Sequence, residues 1–282
     1  MTVLVFGSTG QVATELRRQA PEAVFLGRDR ADLTDPAACA AAIRAANPTA
    51  VINAAAWTAV DRAETEEAAA QVVNGAAPGA MARACADLGV PLVQISTDYV
   101  FGGSGTAPRR PEDPVSPVNA YGRSKWAGEE AVRASGATHV ILRTSWVFSA
   151  HGANFVKTML RLGAERPALR IVADQIGGPT PADAIAAACL RLAAALREGA
   201  RSGTHHFAGA PETSWAGFAR ETFRIAGMPT TVEDIPTEAF PTPARRPLNS
   251  RLDCSALAAD FGITQPDWRA ALAQVITELK GA

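Results

Sequence analysis

The chain has 282 residues, is 48% apolar and carries a formal net charge of −1. That apolar content supports a sizeable core and excludes a disordered chain, while the near-zero charge gives no electrostatic case for nucleic acid or an anionic membrane surface. The four cysteines, Cys39, Cys85, Cys189 and Cys254, lie far apart with no Cys-x-x-Cys, so neither a zinc knuckle nor a disulfide frame is expected.

Thr2 to Phe6 is a β-rich apolar run, Gly7-Ser-Thr-Gly10 turns, and Gln11 to Gln19 has helical spacing at Val12, Leu16 and Gln19. The chain enters this strand with no basic segment, apolar signal core or cleavage site, which predicts a cytoplasmic protein. Ala23 to Leu26 reads as a second strand, Asp35-Pro36 opens a helix to Ala46, and Ala50 to Ile52 reads as a third strand. Val73 to Leu88 is a predicted helix, Pro91 to Ile95 a strand, Ala120 to Arg133 a helix and Thr138 to Leu142 a fifth strand. Strands and helices alternate, and the strands are continuous apolar runs. Both features predict a Rossmann-type doubly wound parallel sheet. Beyond Ser145 the pattern loosens to helices at Asn154 to Leu162 and Ala182 to Leu196, followed by loops rich in Pro, Thr and Gly. The longest apolar stretch, Ala184 to Leu196, is broken by Arg191 and too short to span a bilayer. The expected organisation is a dinucleotide-binding domain over 1–145 with a returning helix at about 181–198, and a smaller substrate-binding lobe from about 146–180 and 199–282.

Gly7-x-x-Gly10-x-x-Ala13 follows the first strand and opens the first helix. Two glycines there let the backbone turn and approach a pyrophosphate, and the helix N-terminus faces the phosphates. A mere tight turn is the alternative. The end of the second strand, Gly27-Arg28-Asp29-Arg30, lacks a carboxylate placed to meet a ribose 2′-hydroxyl directly and offers arginines for a 2′-phosphate, favouring NADPH over NADH unless they are a solvated turn. Asp32-Leu33 is placed for the adenine edge. The small residues of Asn53-Ala-Ala-Ala56 leave room at the sheet's carboxyl edge, although a buried strand end explains them as well. The acids Asp61, Glu64, Glu66 and Glu67 read as a solvated helix face.

Tyr121 and Lys125 stand four residues apart, on one face if Tyr121 opens a helix. An ammonium there favours phenolate. Moving a phenol from about 10 to near 7 takes about 4 kcal/mol, more than one cation supplies alone. Many Tyr-x-x-x-Lys spacings are surface pairs, but this chain has only two tyrosines, Tyr99 and Tyr121, and both fall where this chemistry needs them. Thr97 ends the fourth strand and would hold the substrate oxygen. No Gly-x-Ser-x-Gly elbow competes, and His139, His151, His205 and His206 lie outside the glycine-loop half. His205-His206 reads as a strand with one buried imidazole rather than a metal pair. Trp146, after the fifth strand, either stacks on a sugar ring or is a core residue beneath the second lobe.

With these motifs assembled, the chain resembles the extended short-chain dehydrogenase/reductases. Further runs narrow the resemblance to the dTDP-4-dehydrorhamnose reductase family: Asn53-Ala-Ala-Ala-Trp-Thr-Ala-Val-Asp-Arg-Ala-Glu64, Ser96-Thr-Asp-Tyr-Val-Phe101, Arg143-Thr-Ser-Trp-Val-Phe148, Asp174-Gln-Ile-Gly-Gly-Pro-Thr180 and Pro241-Thr-Pro-Ala-Arg-Arg-Pro-Leu-Asn-Ser250. The resemblance implies reduction of the 4-keto group of dTDP-4-dehydro-β-L-rhamnose by NAD(P)H. Tyr121 would protonate the developing alkoxide, Lys125 would hold the nicotinamide ribose and lower the tyrosine's pKa, and Thr97 would orient the carbonyl and tune Tyr121. It carries cofactor-contact positions onto Gly10, Gln11, Val12, Asp32, Leu33, Ala56, Trp57, Thr58 and Ile95, and sugar-site positions onto Asp98 and Trp146. Arg246, on a loop stiffened by prolines, is the candidate for the diphosphate. Some relatives form homodimers around Mg²⁺, and the matching acids are Glu15, Asp183 and Glu278; a surface helix carboxylate is the alternative for each.

Two other readings share parts of this pattern. A non-catalytic, nucleotide-binding regulatory subunit need not keep Thr97, Tyr121 and Lys125 together. A nucleotide-sugar epimerase or dehydratase uses the same trio, but a dehydratase commonly carries an acidic pair after the threonine, where this chain has Asp98-Tyr99.

Overall fold

Val3–Phe6 (β1) consists of four apolar residues, three of them buried, in a computed structural model that describes residues 2–281. Gln11–Gln19 (α1), Val24–Leu26 (β2), Pro36–Ala46 (α2) and Ala50–Asn53 (β3) follow. Asp35 starts α2 by accepting the Ala38 N–H at 3.0 Å, with Pro36 as the first helical residue; loss of such a cap costs about 1 kcal/mol. Val60–Ala63 (α3) leads to a helix that begins earlier than the spacing predicts. Glu67–Gln71 (α4) runs through a π turn at Val72–Ala76 into Ala77–Leu88 (α5), which ends at the left-handed Gly89. The reason is Pro78, which has no N–H for the carbonyl of Asn74 four residues back. Leu92–Thr97 (β4), Ala120–Arg133 (α6) and His139–Thr144 (β5) complete this half.

The remainder comprises Val147–Phe148 (β6), Phe155–Glu165 (α7), Ala168–Val172 (β7), Ile176–Gly177 (β8), Thr180–Pro181 (β9) and Ala182–Arg197 (α8). Gly203–His206 (β10), Thr213–Ser214 (β11), Trp215–Ala226 (α9), Thr231–Ile235 (β12), Asn249–Ser250 (β13), Ser255–Phe261 (α10) and Trp268–Gly281 (α11) follow. The central sheet has six parallel strands in the order β10-β5-β4-β3-β1-β2. The chain moves from β1 to β2 and then crosses to β3 on the other side of β1. That reversal opens a crevice at the carboxyl ends of β1 and β3, where such sheets take ligands.

Both faces of the sheet are covered. Leu4 and Phe6 pack on one side with Cys39 and Ile43 of α2 and Met81 and Cys85 of α5. Val5 packs on the other with Leu16 of α1 and Ile185 and Leu192 of α8. The remaining strands form three small sheets, β11-β8-β13, β12-β7 and β6-β9, with Leu169 of β7 against Ala219 and Phe223 of α9. Two glycines set how closely α6 approaches the site. A Cβ at Gly128 would lie 2.0 Å from the Asn74 carbonyl oxygen, and one at Gly122 would lie 2.2 Å from the Tyr99 carbonyl oxygen.

Candidate active site

Gly7 carries the turn out of β1 at φ 109°, a conformation that disfavours any side chain, with Ala13 and Ala54 just 3.4 Å from where a Cβ would stand. Gly10 is the N-cap of α1 and offers no side chain, so the first-turn N–H groups above the buried Val12 are left for an anion. Gln11 donates to the Val147 carbonyl at 3.3 Å and accepts from Ser149 at 2.9 Å and Asn154 at 3.0 Å, which ties the glycine loop to the segment after β5. Arg28 is exposed at the end of β2. The Asp32 carboxyl takes the Thr34 N–H at 2.9 Å, and that bond, with Arg28 nearby, holds it below the usual carboxylate range. Leu33 is buried in the core beside it.

The segment after β3 is held by a residue that sequence reasoning missed. Asn74, buried in the π turn, accepts the Trp57 N–H at 2.8 Å and donates to the Trp57 carbonyl and to Ser124 of α6, both at 3.0 Å. It thereby fixes the Ala56-Trp57-Thr58 backbone against α6. An Asn-Gly pair inside a predicted helix was the available signal, since both residues favour irregular backbone. The bare helix terminus, the glycine turn and the small residues facing it fit a nicotinamide dinucleotide.

Thr97 ends β4 and Tyr121 stands in the first turn of α6. Asn119 caps α6 by accepting the Gly122 N–H at 2.8 Å, and Glu64 accepts the Ala120 N–H at 2.7 Å. Tyr121 lies close enough to Thr97 for that side chain to favour its ionised form, and it meets the Tyr99 ring edge-on at 5.7 Å. Thr97 in turn donates to Asp98 Oδ1 at 3.1 Å and accepts the Tyr99 N–H at 3.2 Å. Lys125 is 4% exposed and donates to the Ile95 carbonyl at 2.7 Å. Its burial lowers the ammonium to about 8, with Glu129 pulling the other way. Burial also pushes the Tyr121 phenol up to about 12, which Thr97 only partly offsets. Lys125 is not among the groups that shift this phenol, its ammonium being engaged by the Ile95 main-chain oxygen, and desolvation dominates. The Tyr121 phenol is therefore protonated through the neutral range. Asp98 is 3% exposed, and its Oδ2 has no hydrogen-bond partner among the described residues. Burial pushes its carboxyl up to about 7 against the pull of Ser250 and Thr97.

Trp146 has a left-handed backbone at φ 49° and stacks on Trp215 at 3.7 Å, with Gly177 against its ring. The acids after β3 are not a plain solvated face. Asp61 binds Arg246 at 2.9 Å and the Ala244 N–H at 3.1 Å, Glu64 caps α6, and Glu67 binds Arg123 at 2.8 Å; Glu66 pairs with Arg62 at the surface. The partners of Asp61, Glu64 and Glu67 come from α6 and a distant loop, which no local pattern reveals. His205 and His206 are both buried, correcting the expected single buried imidazole; His205 packs edge-on against Phe261 of α10 and His206 edge-on against Phe101.

The Mg²⁺ expectation finds no support in this chain. Glu15 and Glu278 do converge, but on Arg18, whose Nη1 lies 3.5 Å from Glu15 and 3.1 Å from Glu278, while Asp183 adds its field. A guanidinium already supplies the positive charge there. Among the described residues no group of His, Cys, Asp or Glu side chains could hold a metal ion.

A family model described as RmlD substrate binding domain matches residues 1–280. A dTDP-4-dehydrorhamnose reductase of Burkholderia thailandensis is 46% identical over 295 residues, covering 99% of each chain. A solved dTDP-4-dehydrorhamnose reductase of Clostridium acetobutylicum is 35% identical with a TM-score of 0.94, covering 99% of this chain and 100% of its own. One from Bacillus anthracis, in complex with NADP, is 34% identical with a TM-score of 0.91, covering 98% and 99% respectively.

Proposed function

The chain belongs to the RmlD substrate binding domain family, and from that premise we propose that it reduces the 4-keto group of dTDP-4-dehydro-β-L-rhamnose to give dTDP-L-rhamnose. The observation that carries this reading is the meeting of Thr97, Tyr121 and Lys125 at the carboxyl edge of β4, beside a glycine turn suited to a dinucleotide. The nicotinamide, when bound, supplies the hydride. Tyr121 gives its phenolic proton to the oxygen that becomes the 4-hydroxyl, a transfer worth about 100- to 10,000-fold in rate. Thr97 holds that oxygen in line with Tyr121, and Lys125 holds the ribose while its positive charge steadies the phenolate left behind. Asp98 and Trp146 meet the sugar.

NADPH is the preferred cofactor in this reading, since Arg28 and Arg30 are exposed at the end of β2, where a 2′-phosphate would lie. The reading sets the reaction in the cytoplasm; no described helix is long and apolar enough to cross a membrane. The direct test follows NADPH absorbance with enzymatically generated dTDP-4-dehydrorhamnose. Oxidation of NADPH with dTDP-L-rhamnose as product is expected. Bound NADPH that is not oxidised would overturn the assignment and favour a regulatory subunit or another keto-sugar.

A further inference from the structure

Between β12 and β13 the chain crosses the site as a strap that contains Pro241, Pro243 and Pro247. Prolines limit its backbone, but proline alone does not aim the arginine it carries. Three ties do. The Ala244 N–H donates to Asp61 Oδ1 at 3.1 Å, Arg246 Nη2 donates to Asp61 Oδ2 at 2.9 Å, and Asn119 Nδ2 donates to the Arg245 carbonyl at 2.8 Å. Asp61 lies on α3 and Asn119 caps α6, so the strap is fastened to the helix that carries Tyr121 and to the segment that supplies its second cap, Glu64.

Arg246 spends one donor on Asp61 and one on the Ala244 carbonyl, at 2.9 Å each, and its side chain is 18% exposed. A guanidinium has five N–H donors, so three are left for an anion. Its charge reaches Tyr99, whose phenol it favours toward ionisation, and Tyr99 abuts Tyr121. The guanidinium therefore lies one ring away from the proton donor. A free arginine would lose rotamer entropy on meeting a ligand, and a carboxylate that already fixes its plane removes that cost.

We propose that Asp61 is a positioning residue that holds Arg246 with its remaining donors facing the diphosphate of a nucleotide sugar. The proposal rests on the nucleotide-sugar reading above. Asp61 acts only through Arg246 and the strap, and itself touches neither the sugar nor the cofactor.

The test measures dTDP and thymidine binding to the NADPH-loaded protein by calorimetry, in the wild type, Asp61→Asn, Arg246→Ala and the double variant. Wild type is expected to prefer dTDP over thymidine, and Asp61→Asn to lose roughly tenfold in dTDP affinity with thymidine and NADPH affinities unchanged, which also reports an intact fold. In the double variant Asp61→Asn should add nothing to the loss from Arg246→Ala. In turnover, Asp61→Asn should raise KM for the nucleotide sugar by about the same factor and change kcat by less than about threefold. Undiminished dTDP affinity in Asp61→Asn, equal losses for dTDP and thymidine, or additive losses in the double variant would overturn the proposal. A wild type with no preference for dTDP would overturn the nucleotide-sugar reading itself.

Discussion

Lys125 donates its ammonium to the main-chain carbonyl of Ile95 at 2.7 Å, two residues before Thr97 on the same strand. The lysine is thus a strut from α6 to β4 as well as a charge. Because burial lowers it to about 8, it is charged below that pH and neutral above. NADPH affinity, measured by nucleotide fluorescence from about pH 6.5 to about pH 9.5, should fall as pH rises through about 8. Lys125→Met should bind more weakly at neutral pH and show no such fall. An unchanged pH dependence in that variant would remove Lys125 from the ribose.

Tyr121 meets Thr97 and Tyr99 inside a packed pocket, and its phenol, pushed up to about 12, stays protonated wherever the protein is folded near neutrality. Tyr121→Phe keeps the ring and its packing but deletes the transferable proton. Turnover should drop by at least about 100-fold while NADPH affinity stays within about twofold. A variant that turns over at a near-normal rate would transfer the proton-donor role elsewhere.

Arg28 is exposed, and the fall it imposes on the Asp32 carboxyl is the smallest of that group's causes. It is therefore free to serve a cofactor phosphate. Arg28→Ala should weaken NADPH by roughly tenfold and NADH by less than about twofold. Parallel losses would show that Arg28 does not read the 2′-phosphate.

Asp98 is almost fully buried, with one oxygen unpartnered, and its carboxyl is raised to about 7. A carboxyl raised above its unfolded value of 3.8 contributes stability that is full below that pH and is lost as pH rises through about 7. Asp98→Asn removes the titration, so in urea unfolding the variant should gain on wild type between about pH 5 and about pH 8. A constant difference across that range would mean that Asp98 is ionised in the folded protein throughout.

The sheet was legible because its strands are unbroken apolar runs and Asp35-Pro36 is a strong helix start. The trio was legible because Tyr121 and Lys125 share one helix and Thr97 ends a strand, so local spacing places all three. The long helix was misjudged at its start, since the π turn answers to Pro78 and to the close pass of Gly128, a contact made across more than fifty residues of sequence. Asp61 and Glu64 looked solvated for the same reason, as their partners Arg246 and Ala120 are distant in the chain. Nor did spacing reveal that Glu15 and Glu278 meet on Arg18, since the two acids are far apart in the chain.

Glu129 stands one turn beyond Lys125 on α6 and is buried against Arg143, which is itself 1% exposed. Its Oε1 accepts from Ser96 at 2.6 Å and Arg143 Nε at 2.9 Å, and its Oε2 accepts from Arg143 at 2.7 Å and Arg133 at 2.6 Å. Burial opposes its charge, but Arg143 and these other partners hold the carboxyl below its ordinary range. Glu129→Gln would leave the Arg143 guanidinium buried without its counter-charge, and should cost about 3–5 kcal/mol in urea unfolding at neutral pH. The same change reaches the candidate site, since Glu129 raises the Lys125 pKa. In Glu129→Gln the pH at which NADPH affinity falls should therefore lie below the wild-type value. A large loss of stability with an unmoved midpoint would show that the ion pair only braces α6 against β4 and β5; a moved midpoint would show that it also sets the charge on Lys125.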